Sequence, residues 1–129
     1  PNGHFYWPLE RLFRECDAVV VCCSLNDETR HMIGKALIET LKPGAVFVNT
    51  SRGAVLVESE LIEVLRARPD LRVMLDVLDG ETEWRHLNSP LWDLATISAH
   101  IAGHTIESEQ KAHQIARELE NRATIIRDG

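Results

Sequence analysis

The sequence has little positive charge and no long apolar run. Of its 129 residues, 14 are Lys or Arg and 20 are Asp or Glu, which gives a formal net charge of −6. Because nucleic-acid binding relies on clustered Lys and Arg that contact phosphates, we expect no nucleic-acid partner. No apolar stretch reaches the roughly 18 residues needed to cross a bilayer, so we expect no membrane partner either.

The cysteines lack the spacing of a metal or redox motif. There are three of them, Cys16, Cys22 and Cys23, and no C-x-x-C pair occurs. Cysteines that end an apolar run, as Cys22 and Cys23 do, are typical of small buried side chains. Unpaired cysteines also suit a reducing compartment. We therefore predict a cytoplasmic protein without a bound metal.

Four short apolar runs, rich in β-branched residues, alternate along the chain with amphipathic segments. A length of 129 residues suits one domain, and this alternation is typical of right-handed βαβ units on a parallel sheet. The first run is apolar throughout, which predicts a strand buried on both faces. The predicted strands are residues 18–23, 45–49, 73–77 and 96–98.

Three helices are predicted from apolar residues that recur at helical spacing. They cover residues 28–41, residues 58–67 and a final segment from about 105 to 127. Asp27 can cap the first helix, and Pro43 ends it before the second strand. The fold class is therefore predicted to be α/β, with a parallel sheet and flanking helices.

Polar residues follow the last three predicted strands, at the sheet edge where α/β proteins bind ligands. Arg52 suits a carboxylate, because its planar guanidinium donates two parallel hydrogen bonds, and Gly53 would let the backbone approach a ligand. Taken singly, Arg52 could be a surface arginine, Glu81 a solvated loop acid and His100 a structural histidine. Because each follows a different strand on one edge, we predict that they form a catalytic triad.

Asp76 lies inside an apolar run and must find partners, since burying an unpaired carboxylate costs free energy. One interpretation is structural: the carboxylate accepts hydrogen bonds from backbone N–H groups of a loop. The other is functional: it holds an amide group of a ligand. The sequence leaves both open.

Three motifs in order match one family. Residues 49–56 resemble its N-x-x-R-G-x-x-V segment, residues 75–81 its D-V-x-x-x-E-P segment, and residues 98–105 its T-P-H-I-A-G-x-T segment. The chain thus resembles the D-isomer-specific 2-hydroxyacid dehydrogenases, in the C-terminal part of their NAD-binding domain, from about residue 8 to residue 127. The resemblance implies a Rossmann-like half domain, whose last helix leads back toward a separate substrate domain.

The resemblance also implies a reaction: hydride transfer between a nicotinamide cofactor and a 2-keto or 2-hydroxy acid. Arg52 would bind the substrate carboxylate and polarise the keto oxygen. His100 would donate a proton to that oxygen, and Glu81 would hydrogen-bond the imidazole and hold it protonated. The cofactor would be NAD or NADP, with NAD favoured. The implied cofactor contacts are Cys23, Leu25, Thr50, Ser51, Asp76 and Gly103.

The sequence departs from the family pattern at several places. Thr82 replaces the proline after the glutamate, and Val57 replaces an aspartate that caps the next helix, so a weaker cap is predicted. No G-x-G-x-x-G loop is present, so the pyrophosphate could not be held in the family's way. We therefore expect a fragment of a longer enzyme, inactive as an isolated chain. The alternative is a non-catalytic NAD(H)-sensing or protein-interaction module of the same fold.

The first predicted strand is expected to have an unpaired edge. In the family's sheet it pairs with a preceding strand, which this sequence does not contain. An unpaired apolar edge invites pairing with another chain. We therefore expect a homo-oligomer, with a small-molecule 2-keto acid as the other partner.

Overall fold

The computed structural model describes residues 7–81, 85–103, 105–107, 110 and 114. Their centre is one parallel four-stranded sheet, in which the strands lie side by side in chain order. This architecture confirms the predicted α/β class. The strands are β1 (Ala18–Val21), β2 (Val46–Asn49), β3 (Arg72–Leu75) and β4 (Thr96–Ile97).

In the described part of the chain, α-helices and short 3-10 helices connect and flank the strands. Between residues 7 and 97 the α-helices with described bounds are α1 (Leu9–Glu15), α2 (Lys35–Ile38), α3 (Glu58–Ala67) and α4 (Leu91–Leu94), and the 3-10 helices are Gly53–Val55 and Arg85–Asn88. Helix α3 has the predicted bounds, and its N-cap residue Val57 makes no side-chain capping hydrogen bond, as expected. None of the described helices is long and apolar enough to cross a membrane. The predicted final helix lies mostly outside the described residues.

The helix predicted over residues 28–41 is much shorter in the structure, where only Lys35–Ile38 are α-helical and the predicted start is wrong. Asn26 Oδ1 accepts hydrogen bonds from the backbone N–H groups of Glu28 and Thr29, both at 2.9 Å, so Asn26 and not Asp27 organises this segment. An Asn side chain that bonds nearby backbone groups stabilises a turn in place of a helix. Ile33 then pairs with Leu56 in an isolated β-bridge, and the helix begins only after it, as α2.

The prediction that the first strand is buried on both faces was also wrong. Strand β1 ends at Val21, and Cys22 beyond it is exposed rather than buried. Along β1 to β3 buried and more exposed side chains alternate, because the described helices cover only one face of the sheet. On the other face Val20 is 57% exposed and Met74 is 44% exposed.

All four strands run in one direction, so their carboxyl ends meet at one edge of the sheet. Asn49 of β2 lies beside Leu75 of β3, which lies beside Ile97 of β4. The loops that follow these three residues contain the predicted triad. Strand β1 is at one side of the described sheet, and its pairing with another chain stays a prediction.

Candidate active site

The loop after β2 is fixed by one buried side chain. Asn49 is fully buried, and its Oδ1 accepts hydrogen bonds from Ser51 N at 3.0 Å and from Ser51 Oγ at 2.9 Å. Its Nδ2 donates to Arg52 O at 3.0 Å. Both ends of the Asn49 amide are therefore satisfied within the turn, which defines the backbone position of Arg52. The Arg52 side chain is exposed, and its Nη1 donates to Ser51 O at 2.6 Å.

Gly53 allows this loop to pack directly on the loop after β3. A Cβ atom at Gly53 would lie 2.1 Å from Leu78 C and 2.2 Å from Asp79 N. The sequence prediction gave a different reason for this glycine, a close approach of the backbone to a ligand. In the structure the close neighbour is protein backbone, so Gly53 holds together the two loops that contain Arg52 and Glu81.

Asp76 is buried and takes the structural role that the sequence left open. Its Oδ1 accepts hydrogen bonds from Ser98 Oγ at 2.5 Å and from Ile101 N at 2.9 Å, and its Oδ2 accepts one from Ala102 N at 2.8 Å. These bonds tie the loop after β4 to the end of β3. Contact of Asp76 with the nicotinamide stays a prediction.

The pKa of Asp76 reflects these contacts. Burial by itself raises the pKa of this carboxyl. The hydrogen bonds from Ser98, Ala102 and Ile101, together with the nearby His100, outweigh burial and lower the pKa below its ordinary value of 3.8. Because the folded-state pKa is depressed, the ionised carboxylate stabilises the fold above about pH 3.8, and this contribution is lost as pH falls through the lower folded-state pKa.

Asp76→Asn is therefore expected to destabilise the protein at neutral pH and to have a progressively smaller effect in acid. An amide can accept at one oxygen only, so at least one of the loop N–H groups loses its partner. Urea unfolding of both proteins across the acid range measures the effect, with exposed Asp93→Asn as the control. A difference in unfolding free energy that did not shrink in acid would contradict the assignment.

Glu81 and His100 form a hydrogen-bonded pair. Glu81 Oε2 lies 2.8 Å from His100 Nδ1, and Glu81 Oε1 accepts a hydrogen bond from Leu78 N at 2.5 Å. The backbone thus fixes the carboxylate, and the carboxylate fixes the imidazole ring. His100 also has a positive φ of 57°, which is uncommon for a residue with a side chain. Its imidazole is 49% exposed, so Nε2 can contact a ligand.

A cavity of about 250 Å³ lies beside this pair. Apart from Glu81 and His100, most of its lining is apolar. The sequence prediction assigned no role to this cavity, because part of its wall comes from the segment before β4 and from helix α4, which precede the strand and do not follow it. These other lining residues are Leu78, His86, Leu87, Trp92, Ile97, Ser98 and Ala99.

A second cleft, of about 430 Å³, lies where β1 and β2 end. Four of the six predicted cofactor contacts line it, and Arg52 lines it too. The other two, Asp76 and Gly103, belong to the end of β3 and the loop after β4. Within the described residues no hydrogen bond or ion pair joins Arg52 to Glu81 or His100. The cleft residues are Cys22, Cys23, Ser24, Leu25, Thr50, Ser51 and Arg52.

The parallel sheet carries an acid–histidine pair and a guanidinium at its carboxyl edge, which is where α/β proteins bind ligands. The sequence profile of one α/β family, "D-isomer specific 2-hydroxyacid dehydrogenase, NAD binding domain", matches residues 2–102. Since this match covers most of the chain, the chain belongs to that family. The predicted family and the predicted Rossmann-like fold are both confirmed.

Individual relatives are similar in sequence to most of this chain. Erythronate-4-phosphate dehydrogenase of Ectopseudomonas mendocina is 40% identical over 108 residues, which are 84% of this chain and 28% of that protein. Glyoxylate/hydroxypyruvate reductase B of Enterobacter sp. is 39% identical over 105 residues, which are 80% of this chain and 32% of that protein. The chain therefore spans less than a third of these relatives.

The fold is also similar to that of solved dehydrogenase structures. The apo form of Rhodotorula graminis D-mandelate dehydrogenase superposes with a TM-score of 0.72 at 31% identity, covering 84% of this chain and 31% of that one. The NAD⁺-bound 3-phosphoglycerate dehydrogenase of Entamoeba histolytica gives a TM-score of 0.66 at 30% identity, covering 78% of this chain and 33% of that one.

Proposed function

We propose that the whole protein containing this chain is a nicotinamide-dependent 2-hydroxyacid dehydrogenase, with NAD favoured over NADP. The observation that best supports this proposal is the Glu81–His100 pair, held by backbone at the carboxyl edge of the sheet. A general acid at this edge is what reduction of a ketone needs, because the oxygen gains a proton as the carbon gains a hydride. Membership of an NAD-binding family supports the choice of cofactor.

The cleft at the ends of β1 and β2 fits the nicotinamide part of the cofactor. It is open at the edge where ligands of α/β sheets bind, and the hydroxyls of Thr50 and Ser51 with the apolar Leu25 offer both polar and apolar contact. Cys23 would line it as well. Bound NADH would supply a hydride to the keto carbon of the substrate.

Three residues would take part in the reaction. Arg52 would bind the substrate carboxylate, because the exposed guanidinium can donate two parallel hydrogen bonds. His100 would give the proton on Nε2 to the keto oxygen, and the product would be the 2-hydroxy acid. Glu81 would keep the imidazole oriented through its contact with Nδ1. Oxidation of the 2-hydroxy acid would reverse each transfer.

The direct test is reduction of a 2-keto acid. The whole protein is mixed with NADH or NADPH and then with glyoxylate or hydroxypyruvate, and oxidation of the cofactor is followed by absorbance. We expect turnover that depends on the keto acid. Binding of NADH without turnover of any keto acid would instead favour the NAD(H)-sensing alternative.

Glu81→Gln is expected to lower kcat/KM for keto-acid reduction. Glutamine keeps the size of the side chain but has one acceptor oxygen, so it cannot accept hydrogen bonds at both the positions that contact Leu78 N and His100 Nδ1. The imidazole of His100 would then lose its fixed orientation. Steady-state kinetics with glyoxylate measure this effect, with exposed Glu10→Gln in α1 as the control. An unchanged kcat/KM would remove Glu81 from the mechanism.

We further propose that the protein acts in the cytoplasm as a homo-oligomer. Three free cysteines support a reducing compartment. For the isolated chain, the position of β1 at one side of the described sheet supports association through a strand edge. Light scattering on the purified protein tests the oligomeric state.

A further inference from the structure

The cavity beside Glu81 and His100 has two large apolar side chains in its wall that are not buried by the described residues. Leu87 is 57% exposed and Trp92 is 48% exposed, and both line the cavity. Leu78, Ile97 and Ala99 add further apolar lining. Exposed apolar side chains gathered around a concave site are typical of ligand binding.

The wall that contains Leu87 and Trp92 is anchored to the rest of the fold. Trp92 Nε1 donates a hydrogen bond to His86 O at 2.9 Å, which ties α4 to the preceding 3-10 helix. Ser89 Oγ donates to Glu58 Oε1 at 2.6 Å, which ties the same segment to α3. Leu91, next to Trp92, is buried in the core. A wall that is braced within itself and held to the fold at two points can keep its shape around a ligand.

Among the described residues, the lining offers no Lys or Arg that would bind a phosphate. Its described ionisable residues are Glu81, His86 and His100. Phosphate recognition in proteins relies on guanidinium or ammonium groups, or on backbone N–H groups at a helix N-terminus. A negative carboxylate in the lining further disfavours a phosphate. The cavity therefore suits an uncharged, apolar group.

The geometry of a 2-keto acid relates this cavity to the reaction. Its C2 atom is bonded to the keto oxygen, the carboxylate and the side chain, and these point in three directions. In the proposed function the oxygen contacts His100 and the carboxylate contacts Arg52. Arg52 lines the cleft at β1 and β2, whereas His100 lines the apolar cavity. Of these two sites, which the described residues form, the apolar cavity is the one that suits the side chain.

We propose that this cavity receives the substrate side chain, and that Leu87 and Trp92 select 2-keto acids with an apolar or aromatic side chain over phosphorylated ones. The inference rests on the proposed function, because it places the reacting carbon at His100. Leu87 and Trp92 are thus specificity-determining residues, and they take no part in proton or hydride transfer.

The first experiment measures kcat/KM of the whole protein with glyoxylate, phenylpyruvate and 3-phosphohydroxypyruvate. Glyoxylate has no side chain, so it reports the basal reaction. We expect phenylpyruvate to exceed glyoxylate by about tenfold or more, since a hydrophobic pocket discriminates by roughly that factor for each buried group. We expect 3-phosphohydroxypyruvate to be the poorest of the three. Preference for the phosphorylated substrate would overturn the inference.

The second experiment uses variants. Trp92→Ala is expected to lower the ratio of kcat/KM for phenylpyruvate to that for glyoxylate by about tenfold, and Leu87→Arg is expected to shift preference toward 3-phosphohydroxypyruvate. Trp7→Ala removes an exposed tryptophan just before α1 and is the matched control. It should leave the ratio of kcat/KM for phenylpyruvate to that for glyoxylate unchanged.

The outcomes separate the two proposals. No reduction of any of the three keto acids by the wild type would overturn the proposed function. Reduction without discrimination between side chains, or a Trp92→Ala ratio equal to that of the wild type, would overturn only the inference. An equal loss for all substrates together with a lower melting temperature would show that another part of the protein packs into the cavity, which also overturns the inference.

Discussion

His100→Asn is expected to lower kcat for reduction of a 2-keto acid by about 10²–10⁴-fold, the usual contribution of general acid catalysis. Asparagine cannot donate a proton to the forming alkoxide, so the negative charge on the oxygen goes unneutralised. The choice of asparagine matters because His100 has a φ of 57°. Asparagine tolerates this left-handed conformation better than most residues, so the loop after β4 should keep its shape.

The control for this variant is His31→Asn. His31 has a similar φ of 55° but is exposed in the loop before α2, and it lines neither of the two cavities. The His31→Asn variant should keep the wild-type kcat. A loss of kcat in His100→Asn is then due to the missing imidazole, and not to replacing a histidine by asparagine at a positive φ. Melting temperature and NADH affinity are measured for both variants. A His100→Asn enzyme with kcat near the wild-type value would show that the proton comes from another group.

Gly53→Ala is expected to destabilise the fold strongly and to lower activity with it. The added Cβ would lie 2.1 Å from Leu78 C, and real Cβ atoms essentially never approach another atom so closely. The neighbour is backbone and cannot rotate away, so the loops after β2 and β3 must separate. Overpacking in well-packed sites costs about 1–3 kcal/mol, and a clash with backbone should cost at least that much.

Gly53→Ala is also expected to be less active. Separating the two loops would move Arg52 relative to Glu81, so kcat/KM should fall even in the fraction that stays folded. Urea unfolding gives the free energy, and Gly103→Ala is the stability control, because an added Cβ there meets nothing within 4 Å. A Gly53→Ala protein within about 0.5 kcal/mol of wild type, the range of ordinary surface substitutions, would mean that the loops adjust without strain.

The sequence predicted best those elements whose apolar residues recur at the spacing of the face that they bury in the folded protein. Helix α3 has the predicted bounds, because its apolar side chains at helical spacing face the core. Helix α1 was missed, although Leu9, Leu12 and Phe13 also follow helical spacing, and Phe13 is fully buried with its ring centroid 5.9 Å from that of Phe47. That spacing was the signal that could have found it.

The segment before β2 shows where local patterns fail. Residues 28–41 have apolar side chains at helical spacing, yet Asn26 turns the chain and Ile33 pairs with Leu56. The bridge depends on a residue 23 positions away in the sequence. Helical periodicity describes only neighbours along the chain, so it cannot reveal a partner that the fold brings from elsewhere.

Motif order and hydrophobic patterning are properties of the chain alone. They were enough to predict the family, the parallel α/β class and the positions of Arg52, Glu81 and His100 after successive strands. The role of Asp76 in holding the loop after β4, the packing of Gly53 on Leu78 and the apolar cavity beside the Glu81–His100 pair became known from the folded structure. Each of these features joins residues from separate loops. Their distances are set by the packing of strands and helices, which no local pattern of residues encodes.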